Sequence, residues 1–133
     1  FGLMPGIFYG WPKNVFHMHG IEKSILDINA AVPPQFAIVD GIVGMEGDGP
    51  IMGDPKNAGV VVMGRNALAV DATCARVMGI DPHKVKYLEF APKLNLGTVN
   101  EELIGQRGEP IAKVRTDFKL LDKIEAQKGL RLG

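Results

Sequence analysis

The sequence predicts an α/β fold, a sheet with helices packed on it, and three observations carry that expectation. Short apolar runs rich in β-branched residues, at 36–43 and 60–63, have the length of buried strands. Apolar residues recur at helical spacing at 18–31 and 67–78. Proline or glycine stands where each of those helices must stop. Strands alternating with helices bury their apolar sides by layering helix on sheet.

Taken in order, residues 1–12 hold Gly2, Pro5, Gly6, Gly10 and Pro12 among bulky apolar side chains, which suits an irregular, packed loop. Ile21, Ile25, Ile28 and Val32 share one side of a helix over 18–31, with Glu22, Lys23, Asp27 and Asn29 opposite, and Pro33-Pro34 ends it. A buried strand over 36–43 is expected to end near Asp40. Residues 44–59 contain five glycines and two prolines and read as a long loop, of the kind that in compact domains is usually functional or disordered. Residues 60–63 form the second buried strand. Asn66 is placed to cap a helix over 67–78 that Gly79 closes. Asp81-Pro82 opens a further helix to about Phe90, ended by Pro92. Residues 103–104 and 112–115 read as short strands, and 118–127 as a last amphipathic helix.

The chain of 133 residues is of one-domain size, so a single domain is expected over 1–133, its tail from 98 being less distinctive. Apolar residues make up 46% and charged residues 23%, which excludes a disordered or fibrous chain. Fifteen basic residues balance fifteen acidic ones, with no basic patch interleaved with aromatics, so nucleic acid is not an expected partner. The apolar run 59–70 is too short to span a bilayer and is broken by Arg65; no membrane span is expected. Residues 1–11 lack the basic start and cleavage site of a secretory signal. The lone cysteine, Cys74, excludes an internal disulfide and cannot by itself hold an iron–sulfur cluster. A cytoplasmic setting follows as the default. The opening has no start signal of its own and is expected to continue something upstream.

Asp71 is the most informative residue, because it falls within the helical arc made by Ala67, Leu68, Val70, Cys74, Ala75, Val77 and Met78. A carboxylate on a covered face must be paired, hydrogen-bonded or protonated. Two roles stay open for it: satisfying backbone N–H groups of a neighbouring loop, or serving as a ligand or base. Gly47, Gly49 and Gly53 permit close backbone approach and could present N–H groups to an anionic cofactor. Asp40, Glu46 and Asp48 could instead hold a divalent cation through oxygen ligands. Three carboxylates would repel a phosphate, so the cation is the better functional account, set against a rigid connector without a ligand. Asp71, Asp48 and His19 are the expected catalytic residues, converging with Asp40 and Glu46 beneath the 44–59 loop. His17 and His19 otherwise read as helix-start residues, His83 as a surface residue and Cys74 as an inert core thiol.

Three segments carry a resemblance. Residues 37–50 read AIVDGIVGMEGDGP, residues 59–64 read GVVVMG, and residues 69–82 read AVDATCARVMGIDP. With Gly53, His19 and the Phe1-Gly2 opening, this pattern resembles the C-terminal portion of domain-of-unknown-function family 362, over roughly residues 1–97. The resemblance implies a bacterial or archaeal cytoplasmic protein in a redox setting, often joined to a ferredoxin-type module with four-iron clusters. It implies as partner either that module or the family's upstream half, which this chain lacks along with any cluster cysteines. Two functions are expected from it: part of a redox-associated, metal-dependent enzyme, or a non-catalytic docking or scaffold module for an iron–sulfur partner.

Overall fold

In the computed structural model of the protein, which describes residues 13–133, an antiparallel hairpin packs against one helix, around which the other helices gather. Two helices come first, α1 (Lys13–Met18) and α2 (Ile21–Ala31). The hairpin is β1 (Ala37–Asp48) and β2 (Met52–Gly64), followed by α3 (Ala67–Val77), α4 (Lys86–Phe90) and α5 (Ile111–Val114). Single 3-10 turns lie at Pro82–Lys84, Ala91–Leu94, Glu101–Leu103 and Glu125–Gln127. The expected loop at 1–12 lies outside the described residues.

The long loop expected at 44–59 is instead the two arms of the hairpin. Its register runs from Ala37 opposite Gly64 out to Asp48 opposite Met52, with a bulge where Gly41 meets Val60 and Val43 meets Asn57. Gly59 supplies the left-handed backbone there, at φ +66°. Glycine and proline lower strand propensity locally, but a ladder forms when the partner arm satisfies their backbone groups. For the same reason the first strand continues to Asp48 instead of ending near Asp40. Neither strand is buried throughout; both show partly covered and exposed residues in alternation.

Alternation of side chains gives the hairpin two faces. At its root, Val39, Val60, Val62 and Gly64 are partly covered. α3 packs on this side, so closely that a Cβ on Gly64 would stand 2.9 Å from Val70. Near its tip the chain's C-terminal tail covers the other face: a Cβ on Gly44 would lie 2.9 Å from Phe118, a buried ring. A two-stranded ribbon is marginal alone in water, so both layers are needed to hold it.

The core lies under α3, where Leu68, Ala72 and Ala75 meet Leu88, Ala91 and Val99. The strand-to-helix unit over 60–78 is as expected. Asn66 caps α3 by accepting from the Ala69 N–H at 2.9 Å, and Gly79 follows at φ +71°. Asp81 accepts from the His83 N–H at 3.0 Å, but the element it opens is a 3-10 turn leading into α4, and Pro92 sits inside the next turn. The helix expected over 18–31 is broken at Gly20, φ +103°, into α1 and α2.

Beyond residue 97 the expectations fail. Residues 103–104 end a 3-10 turn and 112–115 fall in α5 and its cap, not in strands. Residues 118–127 are not a helix. Their backbone groups are engaged by distant segments: Phe118 N–H donates to the Met78 carbonyl at 3.0 Å and Gly47 N–H to the Lys119 carbonyl at 3.2 Å. Tertiary pairing has displaced a weak helical preference.

Candidate functional site

The acids of the hairpin do not gather around Asp71. Asp40 is exposed and accepts from the Ile42 N–H at 3.0 Å, a local turn of its own strand. Glu46 accepts from the Lys119 N–H at 2.8 Å and stands 3.7 Å from the Lys56 ammonium. Asp48 is held by Lys123 at 2.6 Å. Asp54, opposite Glu46, pairs with Lys119 at 3.8 Å. Glu46, Asp48 and Asp54 clip the C-terminal tail to the hairpin tip.

The glycines are likewise engaged in structure. Gly47, at φ +78°, gives its N–H to Lys119 and accepts from the Gln127 side chain at 2.8 Å. Gly53 lies under Met45, whose Cγ a Cβ there would approach to 2.5 Å. Gly49 is in the exposed turn, again beside Met45. His19 is exposed between α1 and α2 and donates its backbone N–H to Val15. Among the described residues no three His, Cys, Asp or Glu side chains stand together as a metal-binding group. Lysine ammonium groups stand beside Glu46, Asp48 and Asp54.

Asp71 belongs to a different site. It projects from the second turn of α3 and is half-buried, as its place in the apolar arc requires. The Tyr87 hydroxyl of α4 donates to its Oδ2 at 3.1 Å. Burial pushes the Asp71 carboxyl above its ordinary value, and the Tyr87 hydrogen bond only partly offsets this. The same burial, with the Asp71 charge beside it, pushes Tyr87 upward and the Cys74 thiol up to about 11. A thiol held that high carries little thiolate at neutral pH.

Asp71 and Tyr87 border a cleft of about 430 Å³ between α2, α3 and α4. Ile25, Leu26, Leu94 and Leu96 supply apolar walls, and Asn29, Asp71 and Tyr87 supply polar groups. Neither Tyr87 nor buried Arg76 was singled out by the sequence. Arg76 lies on the side of α3 opposite the centre of the apolar arc and bonds the Ala72 and Val99 carbonyls and Glu101. The wheel offered no signal for Arg76, which falls opposite the arc, and a five-residue helix has too short a stripe to mark Tyr87.

A hairpin backed by helices, with an acid and a tyrosine meeting across two of them, defines a small α/β protein. The chain belongs to the family described as Domain of unknown function (DUF362), which it matches over residues 1–76. It is similar to a thylakoid-associated protein of Synechocystis sp. (strain ATCC 27184 / PCC 6803 / Kazusa), 26% identical over 126 residues. That match covers 90% of this chain and 38% of the relative, so the chain spans well under half the relative's length. No solved structure matches it. Among the described residues no helix is long and apolar enough to cross a membrane.

Proposed function

We propose that this chain is a docking and scaffold module, whose hairpin seats against the remaining part of a family-length protein. The observation that carries the reading is the open face at the hairpin root. Ile38 and Met63 are cross-strand partners and are 65% and 59% exposed, with Phe36, Ile42 and Val61 exposed beside them. Asp40 stands among them opposite Val61, and so many exposed apolar side chains on one face mark an interaction surface more often than a solvated one. The occupant is argued from length, since the cyanobacterial relative has 62% of its sequence outside the matched portion (100 − 38). A four-iron cluster would then reside on a partner module, because Cys74 is alone in this chain.

The reading of a redox-associated, metal-dependent enzyme has less support, because the hairpin acids that would bind the cation are paired with lysines. Thiol accessibility separates the two. Cysteines placed at Ile38 and at Met63 in a Cys74→Ser background should react with maleimide freely in the 133-residue chain. They should be shielded at least tenfold when the chain is joined to the upstream half that family members carry. Equal reactivity in both would refute docking through this face.

A further inference from the structure

We propose that the cleft between α2, α3 and α4 binds a small organic ammonium ligand, with Asp71 as its counter-charge and the leucine walls holding an apolar body. This goes beyond the docking role, since the cleft lies on the helical side of the molecule and the open hairpin face contributes none of its lining.

The cleft has the proportions of a ligand site. Small-molecule pockets run from roughly 300 to 1,000 Å³ and are mostly apolar with a few convergent polar groups. At about 430 Å³ this one falls within that size range, and it sets Ile25, Leu26, Leu94 and Leu96 beside several polar groups.

Its polar groups choose the ligand's charge. Tyr87 engages Oδ2 of Asp71, and no other protein group bonds the second carboxylate oxygen among the described residues. Asn29 gives its amide N–H to the Ile25 carbonyl at 2.8 Å, which leaves its oxygen as an acceptor. The Asp71 and Asn29 oxygens therefore offer a donor cation two acceptors, one of them anionic, while Asn66 in the same lining spends its amide on the Ala69 N–H and the Leu96 carbonyl. An anion would be repelled by Asp71. Arg65, exposed among the lining residues, is the remaining charged group there and would suit a ligand that also carries a carboxylate.

Burial makes the binding pH-linked. Desolvation disfavours the Asp71 carboxylate, and an ammonium beside it restores the charged form. Binding then releases a proton wherever free Asp71 is protonated, so affinity falls as pH drops through the raised value. The groups facing Asp71 are Tyr87, Cys74 and, through the cleft, Asn29 and Arg65.

The test is an NMR titration of the folded 133-residue chain with phenethylammonium, compared with the near-isosteric neutral 2-phenylethanol and the anionic 3-phenylpropionate. Saturable shifts of the Asn29 amide and the Tyr87 ring are expected with the cation, at least tenfold tighter than with either comparison ligand. Asp71→Asn should remove that preference while leaving the weak apolar affinity for the alcohol. If Asp71→Asn does not fold, Tyr87→Phe keeps the carboxylate and should retain the preference for the cation. No saturable shift, or equal affinity for all three ligands, overturns the proposal.

Discussion

The Tyr87 hydroxyl donates to Asp71 Oδ2 at 3.1 Å, tying α4 to α3 over the mouth of an apolar cleft. Tyr87→Phe removes that donor from a half-buried carboxyl. A cost of about 1 kcal/mol in urea unfolding is expected, the usual net worth of one such bond. The Asp71 carboxyl should also rise further, since Tyr87 is what lowers it. A carboxyl titration by carbon-detected NMR reads this, and an unchanged value would contradict the contact.

Asp71 itself sets a pH dependence. Its folded-state value is raised, so the folded protein holds this proton more tightly than the unfolded chain does. The stabilising contribution is complete below the unfolded value, about 3.9. It is lost as pH rises through the raised folded value. Urea midpoints measured across this range should therefore fall less steeply with pH for Asp71→Asn than for the parent. Parallel curves would show that burial does not perturb the group.

Cys74 should be a slow nucleophile. With its thiol pushed up to about 11, little thiolate exists at neutral pH. Iodoacetamide at pH 8 should modify it roughly a hundredfold more slowly in the folded chain than in urea, where an ordinary thiol titrates near 8.5. Comparable rates would place Cys74 in solvent.

Arg76 is nearly fully buried, yet it is bonded to the Ala72 and Val99 carbonyls and to Glu101. Arg76→Ala leaves the buried Val99 carbonyl without its partner and opens a void, so about 3 kcal/mol should be lost. Glu101→Gln touches only the exposed end of the network and should cost under about 1 kcal/mol. Equal losses for the two would mean that the ion pair, and not the carbonyl anchoring, holds this helix.

The tail depends on a missing side chain. A methyl at Gly44 would meet Phe118 at 2.9 Å, so Gly44→Ala should displace the buried ring. A loss of about 1–3 kcal/mol is expected, typical of overpacking. Residues 119–133 should also become cleavable by limited proteolysis, because the Glu46 and Gly47 contacts to Lys119 follow Phe118 directly. An intact tail with unchanged stability would show that the ring can shift without cost.

The sequence by itself determined the elements whose signals are local. Asn66 three residues before the amide it caps, and Gly79 at the left-handed position after α3, need only a few neighbours to act, and both perform as read. The arc of α3 placed Asp71 on a covered side for the same reason. Family membership was legible too, because its motifs run along contiguous stretches of chain. Tertiary structure alone decided the course of residues 44–59, whose glycines and prolines read as a loop until an opposite arm supplied a ladder. It also decided the fate of the acids: Glu46 meets Lys119 and Asp48 meets Lys123 across more than seventy residues, and no local pattern encodes a partner that far away. Tyr87 reaches Asp71 because α4 folds back over α3, a packing choice made by Leu88 and Ala91 in the core and not by the tyrosine. Short-range hydrogen bonding leaves a mark in sequence, whereas long-range pairing depends on which surfaces the whole chain can bury together.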